Sequence, residues 1–190
     1  MGKLHPEIDS TTADFIRAQR LFFVGTAPAG STGRVNVSPK GLDTFRILDP
    51  RTVAYLDLTG SGIETVAHLR DNGRITFLFC SLENAPRILR LYGRGEAIEP
   101  GDPEFESLEA GFPRYDGTRT IIRVSVERIA DSCGYGVPMF RYEGERPQLC
   151  QWAERKGPRG LARYRADNNR KSVDCLPGLR RTGSTVVDDH

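Results

Sequence analysis

The sequence predicts a mainly β, α+β fold: six or seven antiparallel strands closing into a small barrel, with short helices at its periphery. Three observations carry this expectation. Short apolar or alternating runs recur between turn signals, at 21–26, 34–38, 44–48, 52–58 and 74–79. Two longer strands follow, 88–98 and 118–129, the second rich in the β-branched residues that suit a pleated surface. Gly93 and Gly95 interrupt the first of these, as at a barrel corner where a strand bends.

Taken in order, residues 10–19 read as a short helix, with Ser10, Thr11 or Thr12 as its cap and Phe15 and Ile16 as apolar anchors. Residues 21–26 form a buried strand, and the turn at 28–33 returns the chain into 34–38 as a hairpin. A second hairpin joins 44–48 to 52–58 across Asp49-Pro50-Arg51. A helix over 62–72 stops at Asn72-Gly73, and the strand 74–79 follows. In the strand 88–98, Arg90, Tyr92, Arg94 and Glu96 share one face, and Leu89, Leu91, Gly93 and Gly95 the other. Residues 103–110 form a short helix before the last long strand.

The character of the chain changes after Ser132, which divides it into a barrel domain, 1–131, and a C-terminal extension, 132–190, that packs on the barrel. Within the extension, 148–156 and 161–168 are helical, Trp152 is a packing anchor spaced with Leu149, and disorder is expected from Arg180 onward.

Composition excludes several classes. The formal net charge of +2 and the 27% of charged residues are too balanced to imply nucleic-acid binding. No apolar run is long enough to span a bilayer, and Met1 to Glu7 lacks the apolar core of a signal peptide, so a cytoplasmic protein is expected. Cys80, Cys133, Cys150 and Cys175 form no metal-ligand pattern, and of the three histidines His5 and His190 lie near the ends, so no metal is expected. Cys80 reads as a small buried hydrophobe.

The chemistry concentrates in Thr59-Gly60-Ser61-Gly62-Ile63-Glu64-Thr65, between a strand and a helix. The two glycines allow a sharp turn and a close backbone approach, and the first N–H groups of a helix favour an anion such as phosphate. Ser61 and Glu64 also have the spacing of a capping box, in which each satisfies a backbone N–H. The two roles are compatible.

The ordered set Val35-Asn36-Val37-Ser38-Pro39-Lys40-Gly41, Tyr55-Leu56-Asp57, Gly60-Ser61-Gly62 with its helix, and Gly73 to Phe79 resembles the FMN-binding split barrel of the pyridoxamine 5'-phosphate oxidase superfamily, over residues 12–130. The resemblance implies a homodimer with FMN in clefts between subunits. It places Ser38 and Lys40 at the isoalloxazine edge or phosphoribityl chain, Asp57 and Thr59 at the border of the flavin, and Ser61, Gly62, Glu64 and Thr65 at the phosphate. Arg90 is assigned to the same site as a phosphate partner across the dimer; the alternative is a solvated strand face shared with Arg94. The ammonium of Lys40 suits a phosphate or the flavin N1–C2=O edge; without the resemblance it would read equally as an exposed turn lysine.

Two departures set the chain apart from the vitamin-converting enzyme. An arginine-lysine pair at the helix start is replaced by Glu64-Thr65, and the arginine-rich closing segment is absent from 182–187, so oxidation of pyridoxamine phosphate is not the reaction expected first. The motif Cys133 to Pro138, with Asn168-Asn169 and Ser172 to Gly178, resembles the tail of an uncharacterised branch. Gly134 and Gly136 would let Tyr135 approach the flavin, or would simply form a packing turn.

An FMN-dependent oxidoreductase acting on a small-molecule substrate is therefore expected. No catalytic acid is evident; Tyr135 and His68 are candidates, although His68 reads as a residue of the helix surface. The alternatives are a deazaflavin-dependent reductase using 8-hydroxy-5-deazaflavin, a non-catalytic flavin- or haem-binding carrier or sensor, and a nucleic-acid-binding barrel, for which Tyr92 between Arg90 and Arg94 is the one supporting feature.

Overall fold

A computed structural model of the protein describes residues 2–182. The elements run β1 (Leu4–His5), α1 (Ser10–Ala18), β2 (Phe22–Thr26), β3 (Asn36–Lys40), β4 (Phe45–Asp49), β5 (Thr52–Leu58), α2 (Glu64–Asn72), β6 (Arg74–Cys80), β7 (Ile88–Ile98), α3 (Phe105–Glu109), β8 (Thr118–Ser132) and α4 (Gln148–Asn168). All strand pairs are antiparallel, and the sheet order is β3-β2-β6-β7-β8-β5-β4, with β1 added on β8. The eighth strand, β1, is only two residues long and carries no periodicity from which it could be predicted.

Aromatic residues curl this sheet into a split barrel. Phe22 on β2 and Phe79 on β6 stand opposite each other in register, and Phe45 on the end strand β4 meets both rings edge-on at 5.1 Å. Phe77 and Tyr55 complete the cluster. Edge-to-face pairs each contribute about 1 kcal/mol beyond the area they bury. They link β4 to β2 and β6, although β4 shares no backbone ladder with either. The long β7–β8 pair shifts register between Tyr92 and Gly93. A Cβ on Gly93 would lie 2.1 Å from the Ser125 carbonyl oxygen, so the bend requires glycine. The expected alternation holds along β7, with Leu89 and Leu91 buried and Tyr92 and Arg94 exposed.

Two helix starts differ from expectation. Helix α1 is capped by Asp9, whose carboxylate accepts the Thr12 N–H at 2.7 Å, in place of Ser10, Thr11 or Thr12. Helix α2 has Ile63 at its N-cap position and no side-chain cap, so the Ser61–Glu64 capping box does not form. Its other end follows the sequence: Gly73 adopts φ 73° and donates its N–H to the Leu69 carbonyl. Residues 65–69 of α2 are all buried, because the helix packs on β7 and β2 with the tail across its start. His68 is therefore fully buried, not a surface residue.

The extension begins as irregular chain over 133–147 and then forms α4. That helix is broken at Gly157 (φ 62°, ψ 174°), directly before Pro158, into the two helical pieces the sequence predicts. Trp152 packs on Tyr164 across the break, ring edge to face at 4.9 Å. Residues 169–181 then return to the barrel. Leu179 is buried, and Arg180 and Arg181 donate to the buried Glu99 and to Asp102. Disorder from Arg180 onward is corrected to that extent: Arg180 and Arg181 are held by these ion pairs. The remainder of that expectation, 183–190, lies outside the described residues.

Candidate functional site

Strand β3, the end of β5 and the start of α2 converge on a cleft of about 1100 Å³. Its walls carry Asn36, Ser38 and Lys40 from β3, Thr59, Ser61 and Gly62 from the turn, and Glu64 and Thr65 from α2. The irregular chain of the extension contributes Phe140, Arg141 and Tyr142. Of the residues singled out in the sequence, Ser38, Lys40, Thr59, Ser61, Gly62, Glu64 and Thr65 thus share one cavity.

Asp57 and Arg90 do not line it. Asp57 is fully buried beneath the cleft and acts through its neighbours. Arg90 projects from the outer face of β7 and donates to the Ser132 hydroxyl at 2.8 Å. Tyr135 is 82% exposed and stands apart from the cleft, as do Gly134 and Gly136. Cys80 lines the cleft and is half-buried, not fully buried as expected; burial raises its thiol pKa.

The electrostatic centre is a buried trio. Lys40 Nζ donates to Asp57 Oδ1 at 2.8 Å, and Arg119 Nε donates to Asp57 Oδ2 at 2.7 Å. Burial alone would raise the Asp57 pKa, but Arg119 and Lys40 outweigh it and hold the carboxyl at about 2. Two cations facing one carboxylate leave an excess positive charge, and Lys40 brings it to the cleft wall.

Arg119 was not legible as a site residue. It is one of two arginines, with Arg123, in the β-branched run Thr118 to Val124, where isolated charges read as solvated positions. In the fold it is 5% exposed and ties down the turn: Nη1 donates to the Gly60 carbonyl and to Asn169 Oδ1, and Nη2 to the Gly62 carbonyl. Asn169, also buried, donates to the Gly60 and Ser61 carbonyls. All three carbonyls of the Gly60-Ser61-Gly62 turn are thus held by Arg119 and the extension. Thr59 is fixed similarly, donating to the Gly117 carbonyl and accepting from Arg165. Glu64 is turned out of a capping role and accepts the N–H of Val173 from the extension.

A second hydrogen-bonded group lies beside the trio. Asn36 Nδ2 donates to the hydroxyls of Thr26 and Thr65, both at 3.1 Å, and Asn36 Oδ1 accepts from Ser38 at 2.9 Å. Thr26 Oγ1 is 2.9 Å from His68 Nδ1. Burial lowers the His68 pKa, against the opposing effects of Glu64, Asp174 and Asp71.

This geometry can hold a polar, anion-bearing ligand: hydroxyls and an amide on one wall, one excess cation, and an uncapped helix start whose N–H groups favour negative charge.

Comparison with known proteins gives three findings. The family model described as pyridoxamine 5'-phosphate oxidase matches residues 8–133. The chain is 39% identical over 197 aligned positions to an Aspergillus flavus protein named pyridoxamine 5'-phosphate oxidase family protein ustO, covering 94% of this chain and 78% of that protein. Among solved structures, HupZ from Group A Streptococcus is 28% identical with a TM-score of 0.52, covering 64% of this chain and 91% of that one. The Lactobacillus delbrueckii protein LDB0262, at 17% identity and a TM-score of 0.53 over 67% of this chain and 98% of that one, shares the fold.

Proposed function

The chain belongs to the pyridoxamine 5'-phosphate oxidase family, and from that premise we propose that it is an FMN-dependent oxidoreductase acting on a small molecule. The observation that carries this reading is the convergence of Lys40, Ser38, Asn36 and Thr65 with the uncapped start of α2 on one cleft. The donor set fits a flavin nucleotide. Lys40 and Ser38 would meet the isoalloxazine edge or the phosphoribityl chain. Ser61, Gly62 and Thr65 would hold the phosphate. Thr59 would border the flavin, and Asp57 and Arg119 fix Lys40 and the turn from beneath. Glu64, drawn toward Val173, contributes position and no attraction to a dianion.

When bound, the flavin supplies hydride and electron transfer. The protein's part is to bind and orient it and to hold charge near it. Substrate would enter through the open side of the cleft, past Phe140 and Tyr142 of the extension. Exposed Val35 and Val37, beside and on the end strand β3, support a homodimer in which a second copy covers this edge. Arg90 on the outer face of β7 would then meet phosphate only across such a dimer. A cytoplasmic location belongs to the same proposal. Among the described residues no helix is long and apolar enough to cross a membrane.

The test is direct. Purified protein should show flavin absorption, and denaturation should release FMN identified by mass; release of 8-hydroxy-5-deazaflavin would change the cofactor and keep the site. Reduction of the bound flavin by a pyridine nucleotide, followed by oxidation by an acceptor, supports an enzyme. A bound flavin that no donor reduces leaves a carrier. A colourless protein that ignores FMN in titration calorimetry ends the proposal.

A further inference from the structure

His68 is a buried titratable group at the far end of the hydrogen-bonded chain that begins at Ser38. His68 has no exposed surface, its Nε2 has no hydrogen-bond partner among the described residues, and its Nδ1 faces the Thr26 hydroxyl. Thr26 is 5% exposed and links His68 to Asn36, which lines the cleft.

The directions of these bonds are coupled. Asn36 uses its NH2 for Thr26 and Thr65 and its carbonyl oxygen for Ser38. Thr26 Oγ1 accepts from Asn36, and its own hydrogen can go to His68 Nδ1 when the ring is the Nε2–H tautomer. Ser38 spends its hydrogen on Asn36 and presents lone pairs to the cleft. Thr65 accepts from Asn36, which leaves its own hydrogen free to turn to the cleft. The reverse arrangement is also self-consistent. A proton on His68 Nδ1 would be donated to Thr26, whose hydrogen would turn to Asn36. The amide would then rotate, Ser38 would become a donor and Thr65 an acceptor.

We propose that His68, held as its Nε2–H tautomer, is a positioning and specificity-determining residue: through Thr26 and Asn36 it makes Ser38 an acceptor and Thr65 a donor toward the ligand in the cleft. The ligand so selected presents a hydrogen-bond donor, such as an imide N–H or a ribityl hydroxyl, to Ser38 and an acceptor, such as a phosphate oxygen, to Thr65. This rests on the flavin reading above for the identity of the ligand but not for the state of the ring. The charged groups that bear on His68 are Glu64 and Asp71 from its own helix and Asp174 from the extension, all of which favour its protonated form, while burial disfavours it. Burial thus favours the neutral ring, and protonation would invert the network.

The experiment has a ligand-free arm and a binding arm. Long-range ¹⁵N–¹H spectra of the full chain without ligand should show the neutral Nε2–H tautomer of His68; an Nδ1–H tautomer overturns the proposal whether or not flavin binds. For the binding arm riboflavin is used, because it lacks the phosphate whose own ionisation overlaps the range. Its affinity for the wild type should fall as the pH drops from about 7.5 to below the ordinary imidazole value of about 6.5, since burial lowers the His68 pKa. In His68→Asn, whose amide oxygen replaces Nδ1 as acceptor, affinity at the upper pH should stay within about twofold and the acid fall should vanish. Thr26→Val, which keeps the shape and removes the link, should weaken riboflavin about fivefold at the upper pH, the worth of one net hydrogen bond, with His68 intact. An acid fall that persists in His68→Asn, or wild-type affinity in Thr26→Val, overturns the role. Failure of the wild type to bind any flavin while the tautomer is as stated sinks the flavin reading alone.

Discussion

Arg119 donates to one oxygen of Asp57 at 2.7 Å, and both side chains are buried, at 5% and 1% exposure. With Lys40 on the other oxygen, the single carboxylate of Asp57 neutralises part of two cations and orients both. Asp57→Asn removes the charge while keeping the shape, and leaves Arg119 and Lys40 facing each other without compensation. Breaking a buried ion pair from one side costs about 3 kcal/mol or more. Urea unfolding of Asp57→Asn is expected to show that loss, and an unchanged midpoint would remove the trio from the stability of the barrel.

The same pair sets a pH dependence. The Asp57 carboxyl is held at about 2 in the folded protein against an ordinary 3.8. A depressed folded pKa contributes stability above the unfolded value, and that contribution is lost as pH falls through the folded one. Asp57 therefore supports the fold fully at neutral pH and loses its contribution between about pH 4 and pH 2, amounting to about 2 kcal/mol. Comparing acid unfolding of the wild type and Asp57→Asn isolates it, because the exposed carboxylates are common to both. The difference between the two proteins should shrink across that window.

Much of the fold was legible because it rests on local signals. The strands at 88–98 and 74–79, the Asn72-Gly73 stop and the break before Pro158 all follow from periodicity, turn chemistry or missing donors. The cleft was legible in part, since Ser38, Lys40 and the 59–65 turn carry residue types suited to a nucleotide. What was hidden depends on contacts distant in sequence. Arg119 reads as one charge on a strand until Asp57, Gly60 and Asn169 close around it. Glu64 has the spacing of a cap, but Val173, more than a hundred residues later, offers its N–H instead. His68 looks like a surface residue because Thr26 of β2, which its ring meets, is remote from it in sequence.

Lys40→Ala removes the cation that reaches the cleft. Loss of a charge-assisted hydrogen bond of about 1.5 kcal/mol corresponds to an affinity for FMN weaker by about tenfold or more. Riboflavin measured beside FMN locates the contact. A larger loss for FMN assigns Lys40 to the phosphoribityl end, and equal losses assign it to the isoalloxazine edge. Unchanged affinity for both, measured by titration calorimetry, would exclude Lys40 from the site.

Gly178 tests whether the extension belongs to the site. A Cβ there would lie 2.3 Å from the Asn169 carbonyl oxygen and 2.9 Å from Ile63 Cγ1, so this segment of the tail must move away from the start of α2. Gly178→Ala is expected to destabilise the protein by about 1–3 kcal/mol through this overpacking. Gly136→Ala is the control: a Cβ there meets nothing within 4 Å, and its effect should stay within about 0.5 kcal/mol. The consequence for binding is separate from that for stability. Asn169 holds the Gly60 and Ser61 carbonyls and accepts from Arg119, so displacing it frees the turn that faces the cleft. FMN affinity measured well below the melting transition should therefore fall in Gly178→Ala and not in Gly136→Ala. A destabilised Gly178→Ala that binds FMN as the wild type does would confine the extension to a packing role.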